Sequence, residues 1–257
     1  MKKLKKEILE LINGAPLLSD LFYDISKNTN LSTHDTSYPK EWVKIHFKTY
    51  PRLKRILLRN IPSKKIKSLL TRRSTRSFER KEVPFKLLSQ LLLTTAGINQ
   101  QVEDINYSRR SYPSAGARYS LEVYIVSLRI EGLKTGLYHY NVKDNSLEEL
   151  LVQNMEDWII KTSGGEKWMC DANFLVIITG VPDRSRIKYG ERGYGYMLIE
   201  VGHLAQNICL LSDSFGLGTC PVGGFIETDV QSLLDIDNVK EYPLYMLAIG
   251  KKKNERT

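Results

Sequence analysis

Residues 186–225 of the chain, RIKYGERGYGYMLIEVGHLAQNICLLSDSFGLGTCPVGGF, decide how the rest of the sequence is interpreted. Residues 194–213 are apolar on most faces of a helix, which predicts a long helix in the centre of the fold. Lys188 and Tyr189 precede it, where a turn is expected to lead into the helix. Gly223 and Gly224 follow it in a glycine-rich connection. That connection is not a P-loop because no GK[ST] follows, and it is not a dinucleotide-binding fingerprint because a helix precedes it.

The composition is that of a globular protein with a hydrophobic core. Among 257 residues, 42% are hydrophobic and 26% are charged, and the formal net charge is +9. Much of the positive charge lies in the end segments MKKLKKE and KKKNERT, which are interpreted as solvated tails. Since no recognised nucleic-acid-binding module accompanies this charge, we expect no nucleic-acid partner.

The sequence also indicates a reducing compartment and no membrane partner. Its three cysteines are an odd count without metal-ligand spacing, so neither a disulfide framework nor a metal site is expected. Charged residues interrupt the apolar ones near the N-terminus, unlike in a signal peptide. No apolar window reaches the length of a transmembrane helix. We therefore expect a cytoplasmic protein.

The apolar patterns divide the chain into an N-terminal extension, residues 1–63, and one α+β domain, residues 64–257. In the extension, a helix is predicted over residues 3–13 and an irregular wrapping arm over residues 27–63. In the domain, helices are predicted over 83–98 and 147–164, and strands over 121–130, 136–142, 173–180 and 242–250. The strand over 136–142 is expected to pair with the preceding strand as a hairpin.

Two short motifs have both a functional and a plain structural interpretation. TRRSTRSF, residues 71–78, gathers Arg72, Arg73 and Arg76 around Ser74, and arginine forks with a hydroxyl suit a phosphate group. The same motif is equally typical of a basic surface loop. Residues 113–116, Pro-Ser-Ala-Gly, are small enough for a flat ligand to approach the backbone, although a simple turn before the strand has the same composition.

The order of these motifs resembles that of the nitroreductase superfamily of FMN enzymes. Within it, the sequence is similar to the azoline dehydrogenases that mature thiazole- and oxazole-containing peptides, the SagB-type or streptolysin and microcin branch. The stretches that carry this resemblance are PKEWVKIHFKTYPR (39–52), RRSYPSAGARYSLEVYIV (109–126) and KYGERGYGYMLIEVGHLAQNICLLSDSFGLGTCPVGGF (188–225). The resemblance extends over roughly residues 37–253.

The resemblance implies an α+β, nitroreductase-like FMN-binding fold, with a central mixed sheet flanked by helices, in a homodimer with two FMN sites at the subunit interface. It assigns Arg72, Ser74 and Arg76, with Arg73 in the same motif, to the flavin phosphate and ribityl chain. It assigns Pro113, Ser114 and Ala115 to a loop against the isoalloxazine ring, often of the other subunit. It places Gly223 and Gly224 near flavin N5 and O4, and Lys251 and Lys253 near the phosphate.

Lys188 and Tyr189 match a Lys-Tyr pair to which this branch assigns azoline oxidation. That reaction removes a proton from the α-carbon and transfers a hydride to flavin N5, and a lysine can act as the base where its surroundings favour the neutral amine. Without the resemblance, two exposed residues at the start of a helix are the simpler interpretation. Glu200 and His203 on the long helix are interpreted as a holder of Arg or Lys side chains and a buried, hydrogen-bonded histidine, outside the catalytic pair.

Three functions follow from the resemblance. The first is an FMN-dependent azoline dehydrogenase that needs a precursor peptide and a cyclodehydratase complex to make the azoline. The second is a stand-alone NAD(P)H-dependent nitro- or quinone reductase, because such enzymes use one flavin site for both substrates in turn. The third is a non-catalytic flavin-fold scaffold within a peptide-modifying complex.

Overall fold

The computed structural model describes residues 17–28, 48, 52–58, 67–103, 108–236 and 240–253. The predicted helix over residues 3–13 lies outside the described residues, and so does most of the predicted arm over residues 27–63. In the N-terminal extension the structure contains one helix that the sequence patterns did not predict, α1 (Leu18–Ser26). Its Tyr23 is buried and stacks on Tyr242 with the ring centroids 4.2 Å apart, so α1 packs against the main domain.

The described main domain consists of helices around one large sheet. The helices are α2 (Lys67–Thr71), α3 (Phe85–Thr95), α4 (Glu156–Thr162), α5 (Pro182–Tyr189), α6 (Arg192–Ser214) and α7 (Glu227–Leu234). The strands are β1 (Ile98–Gln100), β2 (Arg109–Arg110), β3 (Leu121–Ser127), β4 (Gly136–Asn141), β5 (Ser146–Val152), β6 (Phe174–Gly180), β7 (Leu217–Val222) and β8 (Tyr242–Lys251). Strands β1 and β2 form a separate antiparallel pair.

The large sheet has the strand order β5-β4-β3-β6-β8-β7, and β6 lies at its centre. Every residue of β6 is buried, which agrees with its continuous apolar sequence FLVIITG. All ladders between neighbouring strands are antiparallel, whereas a mixed sheet was expected. Among the described residues, parallel pairing occurs only at isolated bridges, one of which joins Ser74 to Thr219.

Two apolar cores lie on the two faces of this sheet, because successive strand residues point to opposite sides. On β3, Ile125 belongs to the core that also contains residues of α3 and α6, whereas Val126 belongs to the core with residues of α4 and α7. Each fully buried side chain of this size stabilises the fold by about 1.5–3 kcal/mol. The long helix α6 has 23 residues and includes all of residues 194–213, over which the apolar pattern predicts a helix.

The predictions for the other helices and strands in the domain are confirmed except at three places. Helix α3, the β3–β4 hairpin and the strands β6 and β8 lie where they were expected. The helix predicted over 147–164 is wrong in its first half, where Ser146–Val152 forms β5 and pairs with β4. Asn145, in a left-handed conformation with φ of 50°, closes the turn, and the backbone partners offered by β4 override local helix propensity.

The second difference concerns residues 216–225, which we expected to be a glycine-rich connection. Six of them, Leu217–Val222, form the edge strand β7. Gly218 lets the 71–78 segment lie directly on this strand, since a Cβ at that position would be 2.7 Å from a methyl carbon of Thr75. Gly218 therefore serves close packing between two segments of backbone, whereas Gly216, Gly223 and Gly224 lie outside the strand.

The third difference concerns Lys188 and Tyr189, which were expected where a turn enters the long helix. They form the last turn of the separate helix α5, and Gly190 with φ of 56° ends that helix before α6 begins. A glycine is needed there because an L side chain is disfavoured at such a φ. No helix in the described part of the chain is both long and apolar enough to cross a membrane.

Candidate active site

The α5–α6 junction places Lys188 and Tyr189 against the small-residue loop at 113–116. Gly116 has φ of 60°, and a Cβ built on it would lie 2.6 Å from the Tyr189 hydroxyl oxygen and 2.8 Å from Lys188 Nζ. Two polar groups therefore converge on the space beside one glycine. The structure thus brings together two motifs that are more than seventy positions apart in the sequence.

The two side chains of the pair also contact each other and the start of α6. Lys188 Nζ lies 5.3 Å from the centroid of the Tyr189 ring, a cation–π distance. The Tyr189 ring packs edge-on against Tyr196, with centroids 5.0 Å apart. Lys188 is exposed and Tyr189 is half-buried. The amine is thus free to meet a substrate while the phenol is held in place by its neighbours.

The loop itself is held by α6. Ser114 Oγ donates a 2.6 Å hydrogen bond to Glu200 Oε2 and accepts one of 2.8 Å from the backbone N–H of Tyr119. Glu200 is 1% exposed, and burial raises the pKa of its carboxyl. Its other oxygen, Oε1, has no hydrogen-bond partner in the described structure. Glu200 was expected to hold Arg or Lys side chains. It forms no ion pair with one among the described residues, and its side-chain hydrogen bond is with Ser114.

His203 contacts the same loop one turn further along α6. Its Nδ1 lies 3.1 Å from the carbonyl oxygen of Pro113, and since a carbonyl only accepts, this ring nitrogen carries the proton. The side chain is exposed, whereas a buried histidine was expected. Ser114 and Pro113 are both held from α6, so the loop has a fixed position relative to Lys188 and Tyr189.

A cleft of about 650 Å³ opens beside the loop and Lys188, and we call it the loop cleft. Its walls are formed by the loop, the residues on either side of it and one residue of α5. The lining residues are Arg109, Arg110, Ser111, Tyr112, Pro113, Ser114, Gly116, Ala117, Tyr119 and Lys188. This cleft can admit a flat ring against exposed backbone, as expected from the small residues at 113–116.

The basic motif at 71–78 lies along the edge strand β7 and beside the end of β8. The Thr75 N–H donates to the carbonyl of Thr219 at 3.0 Å, the Glu79 N–H to that of Lys251 at 2.8 Å, and the Lys253 N–H to that of Ser77 at 3.2 Å. The structure therefore brings the arginine motif and the C-terminal lysines together, as the phosphate assignment requires.

The cations of this motif are not equally available. Arg73 Nη1 donates to the carbonyls of Leu70 and Arg72 at 3.2 and 2.9 Å, and Lys251 forms an ion pair with Glu79 at 3.3 Å. Arg72 and Arg76 have no ion pair with any carboxylate among the described residues. Arg72 and Arg76 are thus better placed than Arg73 and Lys251 to meet an added anion.

The loop and the basic motif lie far apart within one chain. Thr71 Oγ1 donates to Asp213 Oδ2 at 3.1 Å near the end of α6, whereas Ser114 is bonded to Glu200 on the same helix. Thirteen residues of helix separate these anchors, a rise of about 20 Å. Gly223 and Gly224 are both exposed just after β7. A Cβ built on Gly223 would lie 3.7 Å from a ring carbon of Tyr245. Within the described ranges, no backbone hydrogen bond joins these two glycines to the loop or to the Lys-Tyr pair.

The residues present fit a flavin mononucleotide. At the basic motif, guanidinium groups and the Ser74 hydroxyl supply the donors that a phosphate takes. Thr219, whose backbone forms a β-bridge with that of Ser74, has a buried hydroxyl without a hydrogen-bond partner in the described structure, so this position has unused bonding capacity. At the loop, the cleft beside Gly116 offers backbone and small side chains to a ring.

Comparison with known proteins gives the family. The family model described as the Nitroreductase family matches residues 69–251. A protein of Methanocaldococcus jannaschii classed as a nitroreductase is 32% identical over 184 residues, which are 72% of this chain and 89% of that protein. The Microcin B17-processing protein McbC of Escherichia coli is 28% identical over 153 residues, which are 58% of this chain and 56% of McbC.

One solved structure extends the comparison to nearly the whole chain. A chain of the E. coli Microcin synthetase McbBCD complex with truncated pro-MccB17 bound matches with a TM-score of 0.73, at 21% identity, over 96% of this chain and 98% of that chain. The TM-score establishes a shared fold, and at 21% identity the comparison shows the fold alone. The sequence match to McbC confirms the resemblance to the peptide-maturing branch. By the match over residues 69–251 and by its fold, the chain belongs to the nitroreductase family.

Proposed function

We propose that this protein is an FMN-dependent oxidoreductase that dehydrogenates azolines to thiazoles or oxazoles in a ribosomally made peptide. The observation that carries the proposal is the convergence of Lys188 Nζ and the Tyr189 hydroxyl on Gly116, beside the loop cleft. The relationship to McbC, a microcin-processing protein, supports a peptide as the substrate. A precursor peptide and a cyclodehydratase complex are then the partners that supply the azoline.

Each part of the site has a separate task in this proposal. Arg72, Ser74 and Arg76 hold the phosphate and ribityl chain, with Arg73, Lys251 and Lys253 adding positive charge around them. Pro113, Ser114 and Ala115 lie against the ring system, and Gly223 and Gly224 allow backbone to approach the ring edge. When bound, FMN supplies the hydride acceptor that the oxidation needs.

Lys188 and Tyr189 handle the proton in this scheme. Azoline oxidation breaks two C–H bonds, and the ring loses one hydrogen as a hydride and the other, from the α-carbon, as a proton. Lys188 Nζ would take that proton as a general base when the bound peptide covers it and favours the neutral amine. Between turnovers its exposed position lets it release the proton to solvent. The Tyr189 hydroxyl, beside the same glycine, orients the azoline by a hydrogen bond.

The proposal includes a homodimer in which each flavin site uses both subunits. Within one chain about 20 Å of helix α6 separates the anchor of the loop from that of the basic motif. A ring site from one subunit and a phosphate site from its partner would bring the two motifs to one cofactor. The three buried free cysteines suit a reducing compartment, and we place the activity in the cytoplasm.

The test is turnover of an azoline-containing peptide by the FMN-loaded protein. Lys188→Ala is expected to lower kcat at least 100-fold, the usual size of a general-base contribution, while bound FMN is unchanged in the visible spectrum. Tyr189→Phe is expected to lower kcat about tenfold. Lys86→Ala, at an exposed lysine on α3, is the matched control and should retain activity. Full activity of Lys188→Ala would remove the lysine from the mechanism.

A second function, NAD(P)H-dependent reduction of nitro compounds or quinones, is favoured by the relative classed as a nitroreductase. Rapid bleaching of the flavin by NADPH, followed by reoxidation with a nitroarene, would support it. Slow bleaching together with azole formation supports the dehydrogenase. A protein that refuses added FMN would instead leave the third function, a scaffold within a peptide-modifying complex.

A further inference from the structure

A second cleft, of about 660 Å³, adjoins the loop cleft, and we call it the cationic cleft. The two clefts share Arg110, Ala117 and Tyr119 as a common wall. The cationic cleft extends away from Lys188 toward the turn between β4 and β5, where Asn141 and Lys143 line it. A ligand that reaches Lys188 in the loop cleft can therefore continue past Tyr119 into the cationic cleft.

Four cations line the cationic cleft: Arg110, Arg118, Lys143 and Arg184. One carboxylate, Glu122, also lines the cleft. It forms an ion pair with Arg184, and one of its oxygens lies 3.3 Å from His139 Nε2. Ion pairs with described carboxylates are absent for Arg110, Arg118 and Lys143. The cleft therefore carries three positive charges that form no ion pair with a carboxylate in the described part of the chain.

Two of these cations, Arg110 and Arg118, are held in position by neutral groups. Arg110 Nη1 donates to the Tyr112 hydroxyl at 3.0 Å, and its guanidinium lies 5.0 Å from the centroid of the Tyr119 ring. Arg118 Nε donates to the carbonyl of Arg184 at 2.8 Å. Both arginines keep further N–H groups for a ligand, because each guanidinium has five donors. The guanidinium planes of Arg110 and Arg118, which would bind a carboxylate, are thus partly fixed in orientation before a ligand binds.

We propose that the cationic cleft binds acidic side chains of the peptide substrate, next to the residue that is oxidised in the loop cleft. The inference rests on the proposed peptide dehydrogenase function and names which peptides that site prefers. Arginine forks bind carboxylates with two parallel hydrogen bonds. The cations come from three separate segments, β2, the residues after the loop and the β4–β5 turn, so they suit several acidic side chains along an extended chain.

The experiment measures turnover of two azoline peptides by the FMN-loaded protein. The peptides differ only by Asp→Asn and Glu→Gln changes beside the azoline. We expect the acidic peptide to have the higher kcat/KM because its KM is lower. This preference should decrease as the salt concentration increases. In the Arg118→Gln, Lys143→Gln double variant the acidic peptide should lose about fivefold to tenfold in kcat/KM. The neutral peptide should be unchanged. Lys134→Gln, at an exposed lysine that lies 3.8 Å from Glu149 and does not line the cleft, is the control.

Other results would overturn the inference. Equal losses for both peptides would mean that the two cations support the fold and do not select the ligand. A raised KM for NADPH in flavin reduction, with no change for the acidic peptide, would assign the cleft to the dinucleotide phosphates. Anisotropy of a labelled acidic peptide on the FMN-loaded protein needs no turnover, so it tests the cleft even if azoline oxidation fails. Equal affinity of parent and double variant for that peptide would also contradict the inference.

Discussion

Arg186 and Asp20 form an ion pair that ties the N-terminal helix α1 to the last turn of α5, two residues before Lys188. The Arg186 side chain is 9% exposed, and it also donates to Ser19 Oγ at 2.6 Å. Ser19 in turn donates to Glu191 through its backbone N–H at 2.9 Å and its hydroxyl at 2.8 Å. Helix α1 lies outside residues 69–251 that match the family model, yet it braces the junction that carries the Lys-Tyr pair.

Asp20→Asn tests whether this brace positions the pair. Loss of a charged hydrogen-bond partner from a largely buried arginine is expected to cost about 2 kcal/mol in the free energy of unfolding. If α1 holds α5 in place, kcat should also fall, about tenfold, while KM for the peptide and the bound flavin spectrum stay the same.

Asp24→Asn is the matched control, because Asp24 lies on the same helix and forms an ion pair with Lys27 of that helix. It should leave kcat unchanged. Asp20→Glu should restore part of the activity lost in Asp20→Asn. A stability loss in Asp20→Asn with normal kcat would limit α1 to holding the fold together.

Gly116→Ala tests the close approach of the pair to the loop. An alanine there must adopt φ near 60° and must displace the Tyr189 hydroxyl and Lys188 Nζ, which lie within 3 Å of the new Cβ. The backbone change alone costs about 1 kcal/mol. Azoline turnover is expected to fall at least tenfold, with flavin retained.

Gly132→Ala separates the effect of backbone strain from the effect of displacing Lys188 and Tyr189. Gly132 also has a positive φ, 74°, but nothing lies within 4 Å of its Cβ position. It should lose about the same stability and keep its activity. Equal activity of the two variants would show that Lys188 and Tyr189 can move away from Gly116 without consequence for turnover.

Local sequence pattern predicts the buried centre of this fold well. Strand β6 and helix α6 have long apolar patterns that leave little choice of structure. The pattern fails where a distant partner determines the structure. The sequence of β5 predicts a helix, but the residues pair with β4 as a strand. Gly218 and the glycines on either side of β7 predict a connection, but the 71–78 segment packs on Gly218 and the residues form a strand. Edge strands lack the continuous apolar signal of a central strand, so sequence patterns miss them more easily.

The candidate site shows the same division. The motifs at 71–78, 113–116 and 188–189 are assigned through their order along the chain and the family resemblance, because the composition of each motif alone also fits a surface loop, a turn or a helix start. The groups that hold them give no such signal. Glu200 is 86 positions from Ser114, and Arg186 is 166 positions from Asp20, so only the fold reveals that they meet.

Glu200→Gln tests how the buried carboxyl under the loop affects stability at different pH. Burial raises its folded-state pKa. Below the ordinary pKa of glutamate, about 4.3, the carboxyl is protonated in both states and glutamine resembles it. As the pH rises above that value, the unfolded chain releases the proton while the folded chain retains it, so the free energy of unfolding of the parent falls.

Parent and Glu200→Gln should therefore be about equally stable near pH 4, and the variant should be more stable at pH 7. Urea denaturation at both pH values measures the difference. Glu131→Gln, which removes an exposed carboxylate, is the control and should show no such pH-dependent gain. A variant that is less stable than the parent at pH 7 would mean that the folded protein holds Glu200 as an anion.

Arg72→Gln and Arg76→Gln test the phosphate end of the flavin site. Neither arginine is paired with a carboxylate among the described residues, so each is expected to contribute a charge-assisted hydrogen bond to the phosphate, and its loss should weaken FMN binding about tenfold or more.

Arg80→Gln, two residues beyond the basic motif, is the control, because Arg80 forms ion pairs with Glu156 and with Asp171 and so is not available for an anion. Titration of the four apoproteins, the parent and the three variants, with FMN, followed by flavin fluorescence, gives the four dissociation constants. Riboflavin, which lacks the phosphate, should bind parent and variants alike. If the arginine variants weakened riboflavin and FMN equally, these arginines would act on the fold or the ring and not on the phosphate.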